Sequence, residues 1–187
     1  MFSLAKKVRV KLDGLQKYQR ILRDDLAGTG NGPIRAAFKQ WAARYRAFLQ
    51  ERFASYSRGG GDWPDLAEST KRQRRKGKGK SGVVVFAILR NFGYLFAALT
   101  PNFTGRPGAL QQNIPYGIRV GFGGPGKHPK GNATIADIAS FHQQGGKFLP
   151  VRQIIVDPPE QVIFAMRGDM QNALIKLADE TKIHFFG

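Results

Sequence analysis

Asp137-Ile138-Ala139-Ser140-Phe141-His142-Gln143-Gln144-Gly145-Gly146-Lys147-Phe148-Leu149-Pro150-Val151-Arg152 is the most distinctive stretch of this 187-residue chain. Its spacing predicts a short helix to about Gln144, a double-glycine stop, and a strand that begins around Leu149-Pro150-Val151-Arg152. Just upstream, Thr134-Ile135-Ala136-Asp137 has capping-box spacing, with Asp where Glu or Gln is preferred. Ile135, Ile138, Ala139 and His142 then share one helix face, and Gly145 is expected at the left-handed position after the helix. Downstream, Lys147–Val156 reads as a strand with Gln153-Ile154-Ile155-Val156 at its apolar end. Asp157-Pro158-Pro159-Glu160 is expected to start a last helix, with Asp157 as N-cap and Pro158 in the first turn. Val162, Ile163, Met166, Met170, Leu174 and Leu177 supply its core stripe to about residue 181.

Outward toward the N-terminus, Leu12, Leu15, Ile21, Leu22 and Leu26 predict an amphipathic helix over about 11–27. Gly28-Thr29-Gly30-Asn31-Gly32 ends it, and Pro33 suits a first helical position. Ile34, Phe38, Trp41, Tyr45, Phe48, Leu49 and Phe53 recur at steps of three and four, which predicts a helix over about 33–56. Arg35, Lys39, Arg44, Arg46 and Arg52 fall on its other face, as solvated surface or as ligand contacts. Gly59-Gly60-Gly61 breaks the helix, and Asp62-Trp63-Pro64-Asp65-Leu66 reads as a turn anchored by Trp63.

Seven of the ten residues from Lys71 to Lys80 are basic: Lys71, Arg72, Arg74, Arg75, Lys76, Lys78 and Lys80. Like charges at that density repel and resist burial, so the segment is expected to be an exposed arm or loop. Val83–Leu89 suits a buried strand or the start of a helix, and Tyr94–Leu99 a short helix closed by Thr100-Pro101. Residues 101–112 read as a polar loop, 116–122 as a strand whose start Pro115 keeps at an edge, and Gly123–Asn132 as a mobile loop. The sum is one α+β domain: a small, mostly antiparallel sheet packed by long N-terminal and C-terminal helices, with extended basic and Gly-rich loops. Its parts are N-terminal helices over 1–58, an exposed basic loop over 59–82, and an α/β body over 83–187.

The chain carries 30 Lys and Arg against 13 Asp and Glu, a formal charge of +17, which favours a polyanion or an acidic protein surface as partner. The basic run could neutralise several phosphates without reading sequence. Its longest apolar run, Val83–Leu89, is too short to span a bilayer, and Met1–Val10 lacks the continuous apolar core of a signal peptide. The expectation is a protein soluble and intracellular at synthesis. Zero cysteines removes disulfides, thiolate metal sites and Cys nucleophiles.

Little else invites chemistry. His128, His142 and His184 stand far apart, and His142 reads as a hydrogen-bonded helix residue rather than a zinc ligand. Gly121-Phe122-Gly123-Gly124-Pro125-Gly126-Lys127 lacks the Gly-Lys-Ser/Thr ending of a phosphate loop. Asp24-Asp25 and Asp62/Asp65 lack a third partner for metal-dependent nuclease work. The expectation is no catalytic residue, no metal, no cofactor and no enzymatic activity.

Six pieces occur in order: Gly61-Asp62-Trp63-Pro64-Asp65-Leu66; Glu68-Ser69-Thr70 before the basic run; Ile88-Leu89-Arg90-Asn91-Phe92-Gly93-Tyr94-Leu95; Val120-Gly121; Ile138–Gly145; and Leu149-Pro150-Val151-Arg152. Together they resemble the phage virion morphogenesis (tail completion) family, which includes the Mu-like tail completion proteins. More distantly they are similar to tail-terminator and neck proteins of long-tailed phages. The likeness covers about 61–181. Asn91-Phe92-Gly93 stands where the family has Thr-Gly, and Asp65 intervenes between Pro64 and Leu66.

The resemblance implies a structural bacteriophage protein of the virion neck, assembled in the host cytoplasm as an oligomeric, typically hexameric, ring. Such a ring completes the tail and makes it competent to join the head. Its implied partners are further copies of itself, adjacent head–tail connector and tail tube proteins, and packaged double-stranded DNA in the lumen, with no membrane. Trp63, His142, Leu149, Pro150 and Arg152 are then candidate structural or interface residues, with Arg152 available for a fixed ion pair. The alternative is sequence-independent DNA binding through Lys71–Lys80, and a third reading is a metal nuclease at Asp62 and Asp65.

Overall fold

The computed structural model describes residues 2–78, 87–90, 92–100, 103–128 and 131–183, with 2–13, 77 and 78 given by their backbone alone. Helices α1 (Phe2–Ala27) and α2 (Pro33–Tyr56) come first, followed by α3 (Glu68–Gln73), which runs into a π-helical turn over Arg74–Lys78. Then come α4 (Tyr94–Leu99), strands β1 (Ala109–Ile114) and β2 (Gly117–Phe122), α5 (Ile135–Gln144) and α6 (Glu160–Thr181). The fold is α+β and mainly helical, and the two strands pair as an antiparallel hairpin.

The described residues gather into two compact units. One lies within Met1–Arg44, Gln112–Arg119 and Pro159–Gly187, the other within Tyr45–Gln111 and Val120–Pro158. In the first, Ile34, Ala37 and Phe38 of α2 pack with Ala173 and Leu177 of α6, and Tyr18, Ile21 and Leu22 of α1 close over them. Each large apolar side chain buried this way contributes roughly 1.5–3 kcal/mol. Trp41 Nε1 donates to the Met166 carbonyl at 2.6 Å, and Arg44 forks onto both Asp169 oxygens at 2.6 and 2.9 Å.

Asp25 organises the link between α1 and α2. Fully buried, it accepts from Gly32 N at 2.7 Å, Ile34 N at 3.0 Å and Arg35 N at 3.2 Å. A carboxylate from the preceding helix thus satisfies donors that the start of α2 leaves unpaired. A Cβ on Gly32 would lie 2.6 Å from Asp25 Oδ2, so this glycine makes room for the cap as well as ending α1.

In the second unit Leu49 and Phe53 of α2 join Trp63, Ile88, Leu95, Leu99, Ile135, Ala139 and Ile154 in one core. Trp63 meets Phe53 and Tyr56 edge-on, with ring centroids 5.0 and 5.6 Å apart, and its Nε1 donates to the Gln153 carbonyl at 3.1 Å. It anchors the turn as expected.

The predicted helix over 33–56 is α2, and Thr134 and Asp137 form the reciprocal capping box that starts α5. Several expectations are corrected. α1 begins at Phe2 rather than near residue 11, because Leu4-Ala5-Lys6-Lys7 are good helix formers without an apolar rhythm. Asp157 does not cap α6: Pro159 holds the N-cap position with no side-chain bond. A residue before proline is pushed out of the helical region, which keeps Pro158 outside the helix. Residues 109–112, read as loop, belong to β1, whose Gln111-Gln112-Asn113 hides the alternation.

Lys147–Val156 is not a strand; it holds one isolated pairing, Gly146 with Leu149. Its donors are taken elsewhere, Arg152 N by the His142 carbonyl at 2.7 Å and Ile154 N and Ile155 N by Gln143 Oε1 at 2.8 and 3.1 Å. The predicted loop over Gly123–Asn132 is tied at Lys127, which pairs with Thr134, while Pro129 and Lys130 lie outside the described residues. Most of Val83–Leu89 lies outside them too. Arg35 and Arg46 are buried rather than displayed on a polar face.

Candidate functional site

In the second unit, Arg152 draws the separated motif pieces together. Its side chain is buried, and its Nε and Nη2 donate to the Pro64 carbonyl at 3.1 and 2.9 Å, with Nη2 also reaching the Asp65 carbonyl at 3.1 Å. Its backbone N–H holds the end of α5 through His142. The turn 62–66, the end of α5 and the segment 149–155 therefore form one junction. Gln143 strengthens it, because its Nε2 also donates to the Ile155 carbonyl at 2.7 Å. The side-chain amide stands in for the neighbouring strand that this segment lacks.

In front of the junction opens a groove of about 530 Å³, whose lining includes Arg74, Leu89, Tyr94, Ile138, His142, Phe148, Leu149 and Arg152. Burial pushes both Arg152 and Arg74 below the usual guanidinium value, and Arg74 lowers Arg152 further. His142 is pushed down to about 4, first by burial and then by Arg152. Its imidazole is therefore neutral at neutral pH, and its buried Nδ1 has no hydrogen-bond partner among the described residues. The hydrogen bond expected of this histidine is not made at Nδ1.

The basic run is not an extended arm where it is described. Lys71 bridges Asp65 and Glu68, each at 2.8 Å, which lowers the Asp65 carboxyl and raises the Lys71 amine. Arg74 turns inward and donates from Nη1 to the Ala87 carbonyl at 2.7 Å. Arg72, Arg75 and Lys76 are exposed on the helical segment, whereas Lys80 and the side chain of Lys78 lie outside the described residues. Helix formation rotates Lys71, Arg72, Arg74, Arg75 and Lys76 around an axis, and the carboxylates of Asp65 and Glu68 select Lys71.

Of the candidate interface residues, His142, Leu149, Pro150 and Arg152 line the groove and Trp63 packs in the core of the same unit. Arg152 binds carbonyls where an ion pair was expected: three main-chain hydrogen bonds to the 64–65 turn hold it. Comparison with family models, with curated proteins and with solved structures finds no match to this chain.

Two sets of residues escaped sequence reasoning. Gln143 was visible only as part of a helix end, with nothing in the pattern to show its amide facing a segment eleven residues on. Arg46, almost completely buried, donates to the Ala98 and Leu110 carbonyls at 2.7 and 2.8 Å and lies 3.7 Å over the Phe103 ring. Among the described residues no group of three or more His, Cys, Asp or Glu is placed to hold a metal, and no helix is long and apolar enough to cross a membrane. Asp25 accepts from backbone donors, and Asp24 pairs with Arg23 at 3.0 Å on the surface.

Proposed function

We propose that the chain is a structural protein of the phage neck, completing the tail and enabling head–tail joining as a hexameric ring. The observation that carries this reading is the junction itself. The Trp-Pro turn, the His-Gln-Gln-Gly helix end and the Leu-Pro-Val-Arg segment, which carry the resemblance in sequence, are bound to one another through Arg152 and Gln143. Exposed apolar side chains on several elements supply further support: Phe148, Tyr116, Phe164 and Ile175 are all more than half exposed. A closed ring needs two different adhesive faces on each subunit, and scattered exposed aromatics suit that demand.

Light scattering and electron microscopy of the purified chain, alone and with tail tubes, test the reading. Rings are expected, and monomers under every condition would sink it. Imaging of an infection lacking the gene is expected to find heads without tails beside free or overlong tails.

Sequence-independent DNA binding is the second reading, favoured by the exposed Arg72, Arg75 and Lys76. Lys71 is engaged by carboxylates and Arg74 by a carbonyl, which weakens the segment as a phosphate track. A binding assay across a salt series separates the two. Tight binding that falls steeply with salt favours DNA, and weak binding with intact assembly favours the ring.

A further inference from the structure

Helix α6 is apolar on two faces. Met170, Ala173 and Leu177 pack into the core of the first unit. On the opposite side Phe164, Gly168, Gln171 and Ile175 recur at steps of four, three and four, which confines them to an arc of about 60° at 3.6 residues per turn. Phe164 is 74% exposed and Ile175 61%, with Leu174 partly open beside them. No charged residue stands in that line. A surface helix keeps its outer line polar, and one that is apolar on both faces is covered on both.

Gly168 points the same way. Glycine inside a helix is destabilising relative to alanine, and the subunit itself has no need of one here. The residue is helical, and a Cβ built on it would meet nothing within 4 Å. What a glycine at this place permits is the close approach of another backbone.

We propose that α6 is the contact between two copies of this chain, packed antiparallel about a twofold axis between Gly168 and Gln171. The line is self-complementary under that operation, as a twofold contact demands. Position 164 of one copy then faces 175 of the other, and 168 faces 171. Phe164 therefore packs on Ile175 twice, and each Gln171 fills the space over the other copy's Gly168. Charge selects the same occupant. In a chain of +17, α6 carries Glu160, Asp169, Asp179 and Glu180 against Arg167 and Lys176. A second copy thus meets less repulsion there than a uniformly cationic surface would give. Arg167 and Lys176 also pair within the helix, with Glu160 at 3.6 Å and Glu180 at 3.9 Å. A polyanion finds no cationic track on this face. The line is about 17 Å long at 1.5 Å per residue. That is small for a standard interface of roughly 1,200 Å² or more, so the dimer is expected to be weak and to dissociate on dilution. This inference does not rest on the neck reading: a ring closes through heterologous contacts, whereas this contact pairs two chains, or two rings where rings form.

The test is sedimentation velocity of the full chain from about 1 to 300 µM, in about 0.15 M salt. The parent is expected to shift reversibly to a species of twice the mass. Gly168→Gln puts a good helix former where the subunit has room for it, so its melting temperature is expected to rise while its dissociation constant rises about tenfold. A misfolded variant cannot give that pair of signs. The absence of cysteine allows a check on geometry. Phe164→Cys mixed with Ile175→Cys is expected to give a disulfide-linked dimer under oxidation, while neither alone does, because an antiparallel pair holds like positions about 17 Å apart. No doubling of mass at any concentration overturns the proposal, and so does unweakened pairing by Gly168→Gln. Cross-linking of Phe164→Cys with itself as fast as in the mixture overturns it too. Rings of unchanged mass in Gly168→Gln would sink the pairing and leave the ring reading standing; dimers without rings would do the reverse.

Discussion

Arg35 and Arg46 lie on the polar face of α2 by helical periodicity, yet each is at most 1% exposed. Arg35 donates to the Gly117 carbonyl at 2.7 Å and to the Asp25 carbonyl, so its charge is spent on tying backbone together. Burial pushes Arg46 down to about 10, still charged at neutral pH, and two main-chain carbonyls and the Phe103 face surround it. Arg46→Met strands the Ala98 and Leu110 carbonyls and is expected to cost about 2–4 kcal/mol in urea unfolding. Lys39→Met, at an exposed position of the same helix, is expected to stay within about 0.5 kcal/mol.

His142 gives a pH dependence of definite sign. Folded it titrates at about 4, and unfolded near 6.5, so between those values the unfolded chain holds a proton that the folded chain does not. Its contribution is complete above about pH 6.5 and is lost as pH falls toward 4. Partial exposure screens the effect, leaving on the order of 1–2 kcal/mol. Chemical denaturation from pH 7 to 4 is expected to show that loss in the parent chain and a shallower slope in His142→Gln.

At the level of elements, the 149–156 segment owes its extended course to a side chain. Gln143 accepts from two of its N–H groups and donates to one of its carbonyls. Gln143→Leu removes all three bonds and is expected to cost about 2–3 kcal/mol, whereas Gln144→Leu, which loses only an exposed bond to Ser140, is expected to be nearly neutral. Gly145 closes α5 at φ 74°, and a Cβ there would stand 2.7 Å from Val151 Cγ2. Gly145→Ala is therefore expected to destabilise by at least about 1 kcal/mol, read as a lowered melting temperature. The helices α2 and α5 were legible because periodicity and caps are local. The false strand arose because an apolar β-branched run shows that a segment is extended, not what pairs with it.

Across the whole molecule, part of the positive charge is structural. Arg35, Arg46 and Arg152 are internal staples, so +17 overstates the cationic surface open to a partner. In the ring reading, Arg152→Ala, which frees the 62–66 turn, is expected to weaken assembly more than Arg72→Gln or Lys76→Gln does. Equal effects in light scattering would move the organising contact away from the junction.

Sequence alone determined α2, α4, α5 and α6, the capping box and the glycine stops, and with them the α+β class. Each element follows from contacts within a few residues, whereas α3 reads as loop. Tertiary structure decided which cations are buried, that Gln143 replaces a strand, that Asp25 caps the helix after its own, and that Arg152 binds carbonyls. Those outcomes depend on what lies opposite a side chain across 10 to nearly 90 residues of chain, and spacing along the sequence carries no record of that.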